Sequence, residues 1–282
     1  MFRGFLVADA WWRVARVTRV TLVRVKPGRV WRLTLARPDA GNAVSAPMLG
    51  ELLRGLEESA ADSEARLVLL AGEGRHFCAG ADIDELDRAA GEARAADYGR
   101  ALERVLEAMG EHPLPILAVT HGAALGAGCQ LVLAADLAIA ATDARLGIPS
   151  ARLGVVLTFE TVQRLVLSVG PKRAADLLLS ARTLSGEEAA AWGLISEAVP
   201  PEELAARAED LADRVEEGAP ISVRASKRGI REVLSRLSVD RATEGFRVAD
   251  FDAMAALAFE SEDLREGIAA FRERRDPEFR GR

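Results

Sequence analysis

The chain has 282 residues, of which 49% are hydrophobic and 28% charged, and its formal net charge is −6 at pH 7. This balance is typical of a globular protein with a sizeable core, and the acidic charge disfavours an electrostatic nucleic-acid surface. No apolar run approaches the roughly 18 residues that a membrane-spanning helix needs. We therefore expect neither a nucleic-acid partner nor a membrane partner.

Residues 1–20 are interpreted as an N-terminal extension. They contain several Arg and the pair Trp11-Trp12, but not the charged-then-apolar order of a secretory signal. An Arg-rich, acid-poor start also fits a transit peptide, which stays open as an alternative. The two cysteines, Cys78 and Cys129, have neither CxxC nor metal-ligand spacing. We therefore expect a reducing, cytoplasmic location and no metal site.

Strands alternate with helices over most of the chain. Apolar and polar residues alternate on both sides of Pro27-Gly28, which predicts a hairpin over 21–26 and 29–35. Ser45 is a candidate cap for the first helix. Strands are then predicted at 67–71, 116–120, 137–141 and within 143–150, and helices at 47–59, from 82, 95–110, 127–134, 163–167, 172–180 and 186–192. Such alternation favours parallel β-α-β units in an α/β fold.

The strand pattern ends near residue 200. Four segments with helical spacing follow, over 202–217, 221–234, 240–259 and 262–275. We therefore divide the chain into a core domain over 21–200 and a helical C-terminal subdomain over 201–282.

Two strand-to-helix turns, 76–83 and 121–130, organise the core domain. Each follows a buried apolar run, 66–71 or 116–120, and each opens into a helix. Small residues in the turns allow a ligand to approach the backbone, and the start of a helix leaves N–H groups without intrahelical partners. Two such donors that point to one place would form an oxyanion hole.

The chain resembles the crotonase (enoyl-CoA hydratase/isomerase) superfamily over roughly residues 20–279, and the two turns carry part of that resemblance. The resemblance is carried by Arg37-Pro38 with Asn42-Ala43, Phe77-Cys-Ala-Gly-Ala-Asp-Ile83, Gly122-Ala-Ala-Leu-Gly-Ala-Gly-Cys129, Asp136, Ala144-Arg-Leu-Gly-Ile-Pro149, Leu153-Gly154, Gln163-Arg-Leu165, Ser261-Glu-Asp-Leu-Arg-Glu-Gly267, Ala270-Phe271 and Pro277-Glu-Phe279.

The resemblance implies a spiral of β-β-α units that assembles into homotrimers or hexamers, with the C-terminal helices in oligomerisation. It also implies an acyl-CoA thioester as substrate, with coenzyme A entering as part of that substrate and no other cofactor. By position, the backbone N–H groups of Ala81 and Ala127 would hold the thioester oxygen. The residues that would line the coenzyme A path are Ala40, Gly41, Ala79, Asp82 and Ile83.

The chain departs from the hydratases that it resembles at two catalytic positions. Those hydratases have Glu where this chain has Gln130 and Ser150, which we place at the substrate. An amide can orient water but cannot take its proton. A carboxylate site used by related isomerases is Thr158 here. Glu160 is therefore a candidate catalytic acid/base, and the alternative is a helix N-terminal residue that faces solvent.

Other reactive side chains have simpler structural explanations. Cys78 and Cys129 fit apolar packing better than thiolate chemistry. His76 and His121 fit loop positions, although His121 borders the proposed hole. Lys227 is compatible with a coenzyme A phosphate contact or with a solvated helix face.

The hypothesis that follows is an enzyme that stabilises a thioester enolate, for isomerisation or for a lyase, hydrolase or decarboxylase step. Two alternatives stay open. One is a noncatalytic acyl-CoA binding protein that has lost both glutamates. The other is a slow hydratase that uses Gln130, Ser150 and a recruited water.

Overall fold

The computed structural model describes residues 21–91, 95–237 and 248–282. Its strands are β1 (Val23–Lys26), β2 (Val30–Leu35), β3 (Leu67–Gly72), β4 (Ile116–Thr120), β5 (Ala123–Leu125), β6 (Leu137–Ala141), β7 (Arg145–Gly147), β8 (Thr183–Ser185) and β9 (Glu197–Val199). Its helices are α1 (Ala46–Ala61), α2 (Ile83–Gly91), α3 (Ala95–Glu111), α4 (Ala127–Ala134), α5 (Phe159–Val169), α6 (Pro171–Leu179), α7 (Gly186–Trp192), α8 (Leu204–Glu217), α9 (Pro220–Leu237), α10 (Val248–Glu260) and α11 (Glu262–Glu273).

The strands form two sheets. The larger has the order β1-β2-β3-β4-β6-β9, in which β1 is antiparallel to β2 and every other pair is parallel. The smaller has the order β5-β7-β8, with β5 parallel to β7 and β8 antiparallel to it. Strand β4 is buried along its whole length, as expected of a strand covered on both faces. The prediction of parallel units behind an N-terminal hairpin is confirmed.

Local capping sets where the helices begin. The Ser45 side chain accepts a hydrogen bond from the Met48 amide and caps α1, as predicted. Helix α5 begins at Phe159, four residues before its predicted start, because the Thr158 hydroxyl accepts a hydrogen bond from the Thr161 amide. Glu160 therefore lies in the first turn of α5, the helix N-terminal position that the sequence left open as the alternative.

The described elements after Val199 are all helical. Helix α8 packs against the larger sheet, and its Leu204, Ala208 and Ala212 belong to the same hydrophobic core as the strands. Residues 1–20, and residues 240–247 of the predicted helix over 240–259, lie outside the described residues. The division at residue 200 stays a prediction. In the part of the chain described, no helix has the length and apolar character required to span a bilayer.

An ion pair between the buried Lys227 and the partly exposed Asp136 attaches α9 to the larger sheet. Lys227 Nζ donates hydrogen bonds to Asp136 Oδ2 at 2.7 Å, Leu114 O at 2.9 Å and Met109 O at 3.3 Å. Asp136 Oδ2 also accepts a hydrogen bond from the Ile116 amide at 2.8 Å. Burial lowers the pKa of Lys227, and the Asp136 carboxylate opposes that shift. The sequence predicted that Lys227 contacts a coenzyme A phosphate or faces solvent, and both predictions are wrong.

Replacing Lys227 by Met should destabilise the protein by roughly 2 kcal/mol, because it leaves the buried carbonyls of Met109 and Leu114 and the partly exposed Asp136 carboxylate without their cation. Urea unfolding measures the change. The matched control is Arg228→Ala, the loss of an exposed cation next to it on α9, which should stay within about 0.5 kcal/mol of the parent. Equal stabilities of the two variants would contradict the structural role of the ion pair.

Candidate active site

The first loop of the site is held by a buried amide. Asn42 Oδ1 accepts a hydrogen bond from the Arg37 amide at 2.8 Å, and Asn42 Nδ2 donates to Glu73 O at 2.8 Å and His76 O at 2.7 Å. The backbone of Asn42 is left-handed, with φ of 56°, a conformation that Asn adopts more readily than most residues. The loop that follows β2 is thereby attached to the turn that follows β3.

The amide of Ala81 points toward the second turn. Val44 pairs with this stretch in parallel, donating to Gly80 O at 2.9 Å and accepting from the Asp82 amide at 2.9 Å. In a parallel bridge the residue between these two partners directs its own N–H to the opposite side. On that side Gly80 approaches the second turn so closely that a Cβ at Gly80 would lie 3.3 Å from Leu125 O.

Helix α4 begins directly against the first turn. A Cβ at Gly128 would lie 2.4 Å from Cys78 O, so only glycine permits this approach. Gly126, at φ of 52°, precedes the helix, and no side chain caps its first turn. Ala127 is the first helical residue, so its N–H has no intrahelical acceptor. Among the described residues, neither Ala81 nor Ala127 donates a backbone hydrogen bond to another protein group.

Both turns line one cavity of about 840 Å³. Eight of the ten predicted site residues border it: Ala40, Ala79, Ala81, Asp82, Ile83, Ala127, Gln130 and Ser150. Gly41 is not among the lining residues in the described chain, although its carbonyl accepts a hydrogen bond from the Ala79 amide at 2.8 Å. The two turns therefore meet at the wall of a single cavity, as the sequence predicted.

Glu160, the other exception, is half-buried in the first turn of α5, where the helix dipole favours an anion. It is not among the residues that line this cavity in the described chain. Its role as a catalytic acid/base stays a prediction.

A row of polar side chains lies beside the two turns. Thr161 donates its hydroxyl proton to Gln130 Oε1 at 3.2 Å, and the Thr158 and Thr161 hydroxyl oxygens are 3.1 Å apart. Thr158 Oγ1 is also 2.9 Å from Glu103 Oε2. Glu103 lies on α3 and lines the cavity. The row therefore connects the Gln130 amide to a carboxyl group that the sequence did not single out.

Asp82 joins the site to α2. Its carboxylate accepts hydrogen bonds from Arg37 Nη1 at 2.8 Å and from the Glu85 amide at 3.1 Å. Burial alone would raise the pKa of Asp82, but these hydrogen bonds hold it below its usual value. Asp82 is thus an ionised helix cap with a guanidinium beside it, at the edge of the cavity.

The cysteines are not nucleophiles. Cys78 and Cys129 are both buried, and burial raises the pKa of each thiol to about 12. Neither is a thiolate at neutral pH. The prediction that both pack as small apolar side chains is confirmed.

The two histidines of the turns make backbone contacts. His76 Nδ1 accepts a hydrogen bond from the Ala123 amide at 3.1 Å, and His121 Nε2 is 2.9 Å from Gly74 O. Burial lowers the pKa of His76, and Arg75 and His121 lower it further. Both side chains support the loops, in agreement with the structural alternative.

The sequence did not predict the far wall of the cavity. Phe271, Arg272 and Arg275 of the C-terminal segment reach it. Arg272 pairs with Asp84 at 2.8 Å and Asp87 at 2.6 Å, which ties α11 to α2. The helices after β9 therefore complete the site as well as cover the sheet.

A sequence model of the family "Enoyl-CoA hydratase/isomerase" matches residues 26–282. The chain is 37% identical over 253 residues to a protein of Bacillus subtilis (strain 168) named "Probable enoyl-CoA hydratase", covering 88% of this chain and 94% of that one. It is 33% identical over 261 residues to 2,3-dehydroadipyl-CoA hydratase of Escherichia coli (strain K12), covering 93% and 99%.

Solved structures have the same fold. An enoyl-CoA hydratase/isomerase from Pseudoalteromonas atlantica T6c superposes with a TM-score of 0.75 at 30% identity, over 92% of this chain and 100% of that one. Methylmalonyl-CoA decarboxylase in complex with 2-nitronate-propionyl-CoA superposes with a TM-score of 0.83 at 24% identity, over 93% and 99%, which supports the fold alone. The chain belongs to the enoyl-CoA hydratase/isomerase family, within the crotonase superfamily. The predicted fold is confirmed.

Proposed function

We propose that this chain is an acyl-CoA enzyme that stabilises a thioester enolate and moves a carbon–carbon double bond. The observation that carries the proposal is the pair of backbone N–H groups, from Ala81 and Ala127, that have no acceptor among the described residues and border one cavity. Donors fixed before reaction stabilise an oxyanion without reorganisation, and a single one contributes roughly 3 kcal/mol.

The side chains at the site favour isomerisation over hydration. Hydration needs a base for water and an acid for the α-carbon, whereas a double-bond shift needs one group that takes and returns a proton. Gln130 and Ser150 both line the cavity and neither is a carboxylic acid. The Gln130 oxygen is already occupied by the Thr161 hydroxyl. These residues suit substrate orientation better than water activation.

The coenzyme A part of the substrate would follow the edge of the cavity formed by the first turn and the loop before it. In this proposal Ala40, Gly41, Ala79 and Ile83 offer small or apolar surface to it. The Asp82 carboxylate alone would repel the coenzyme A phosphates, but the Arg37 guanidinium lies 2.8 Å away and offsets its negative charge. Coenzyme A would thus be bound as part of the substrate, and no separate cofactor is proposed.

We also propose that the chain forms a homotrimer or a hexamer of two trimers. Large apolar side chains are exposed on α9 and α10, including Ile221, Ile230, Val233, Leu237 and Met254. Exposed apolar surface of this kind is typical of subunit interfaces. Sedimentation equilibrium should give three or six times the chain mass of 30.2 kDa, and a monomer would contradict the assembly.

A hydratase is the second candidate, because the relatives at 37% and 33% identity are both named hydratases. If a residual hydratase site is present, the double change Gln130→Glu with Ser150→Glu should raise hydration of crotonyl-CoA by at least about 100-fold, the usual contribution of general acid–base catalysis. Water addition is followed by the loss of enoyl absorbance. Absence of any gain would count against a hydratase.

Replacing Ala127 by Pro tests the oxyanion hole. Proline is tolerated at the first helical position, so the variant removes one N–H at little cost to α4. Exchange of the substrate α-proton should fall by a factor of about 100 to 1000, as for other oxyanion-hole donors. Coenzyme A affinity, measured by calorimetry, should stay the same.

Ala127→Gly keeps the N–H and is the matched control, so its exchange rate should stay close to that of the parent. Unchanged exchange in Ala127→Pro would contradict the oxyanion assignment. Binding of acyl-CoA by the parent without exchange or turnover would favour the noncatalytic binding protein.

A further inference from the structure

Glu103 is a carboxyl group in the cavity that the proposed oxyanion hole does not use. Its side chain is only 14% exposed. It lies on α3 between the buried residues Leu102 and Val105, so the helix turns it inward with the apolar face. It borders the same cavity as Ala81 and Ala127. A carboxyl group this enclosed is uncommon without a full set of partners.

The two oxygens of Glu103 have different surroundings. Oε2 is 2.9 Å from the Thr158 hydroxyl. Oε1 is buried and has no hydrogen-bond partner among the described residues. Arg164 Nη1 is 3.9 Å from Oε1, beyond hydrogen-bond distance. Thr158 is therefore the only hydrogen-bond partner of the Glu103 carboxyl group among the described residues.

The proton count along the polar row links Glu103 to Gln130. A hydroxyl has one proton, and the proton of Thr161 goes to Gln130 Oε1. The contact between Thr158 and Thr161 then needs the proton of Thr158. The single proton of Thr158 thus has two possible acceptors, Thr161 Oγ1 and Glu103 Oε2, and whenever it goes to Thr161 the 2.9 Å contact with Glu103 needs a proton on Glu103.

The same row also serves the ionised carboxylate. Turning the Gln130 amide by 180° makes it a donor to Thr161, and every hydrogen bond in the row then reverses. Thr158 finally donates to the Glu103 carboxylate. Each of the two protonation states of Glu103 thus has a complete set of hydrogen bonds along the row, which suits a group that takes and returns a proton.

The charged groups around Glu103 permit both states. Burial raises the pKa of Glu103, and the nearby carboxylates of Glu160 and Glu107 act in the same direction. The Thr158 hydrogen bond and the Arg164 guanidinium oppose that shift. The balance moves the pKa toward neutral pH, where a general acid/base is most effective.

We propose that Glu103 is the acid/base of this site, an assignment that rests on the proposed enolate function. The Glu103 carboxylate takes a proton from the α-carbon of a bound 3-enoyl-CoA. The electrons of the broken C–H bond move into the thioester, and its oxygen accepts hydrogen bonds from the Ala81 and Ala127 amides. Protonated Glu103 then returns the proton to the γ-carbon, which leaves the double bond at the 2-position. No oxidant or further reactant is needed.

Glu103→Gln tests the assignment, because it keeps the shape and removes the exchangeable proton site. Incorporation of deuterium from solvent into 3-hexenoyl-CoA, measured by mass spectrometry, should fall at least about 100-fold. Glu103→Asp retains a carboxyl group and should keep part of the rate. Glu111→Gln removes the same charge two turns further along α3 on an exposed side chain, and its rate should equal that of the parent.

The pH profile separates a catalytic role from a structural one. The parent rate should fall on the acid side as Glu103 is protonated, at a pH above the value of about 4.3 for an ordinary Glu. The residual rate of the Glu103→Gln variant should not show this acid limb, the fall in rate at low pH. An unchanged limb or an unchanged rate in Glu103→Gln would overturn the assignment, as would loss of the rate in Glu160→Gln alone.

The test also separates this inference from the function on which it rests. Exchange that survives in Glu103→Gln and is lost in Ala127→Pro would overturn only the assignment of Glu103. Absence of exchange in the parent protein would overturn both proposals.

Discussion

The close contact between the backbone of the first turn and the start of α4 is the constraint on which the rest of the structure depends. Gly128 lies so close to Cys78 that any Cβ would overlap the Cys78 carbonyl. Because β3 and β4 are neighbours in a parallel sheet, both turns leave the same edge, and this contact fixes their separation. The amides of Ala81 and Ala127 acquire a common cavity as a consequence.

The polar chemistry of the site is distributed differently from what the resemblance to hydratases led us to expect. Gln130 and Ser150 cannot act as bases, and the buried carboxyl group comes from α3. Thr158 and Thr161, at the start of α5, connect the two positions. The capping of α5 and the arrangement of the polar row therefore depend on the same hydroxyl group, that of Thr158. The Thr158 hydroxyl thus links the N-terminus of α5 to Glu103, the proposed proton-transfer group.

Periodicity in the sequence predicted several elements well, and α4 and β6 begin and end where the pattern places them. Strands β5, β8 and β9 have three residues each, too few for an alternating pattern to appear. Most of the site residues predicted from the motifs, eight of ten, also lie at the cavity. Glu103 and Lys227 were missed or misplaced because their partners, Thr158 and Asp136, are 55 and 91 residues away. Helical spacing shows which face is buried, but not what a distant segment brings to that face.

The most direct test of the account is to incubate crotonyl-CoA and 3-hexenoyl-CoA with the enzyme in deuterium oxide and to analyse both by mass spectrometry. We expect 3-hexenoyl-CoA to incorporate deuterium as its double bond moves to the 2-position, while crotonyl-CoA gains no water. Rapid addition of water to crotonyl-CoA without double-bond migration in 3-hexenoyl-CoA would contradict the account. It would mean that Gln130 and Ser150 support hydration despite the absence of both glutamates.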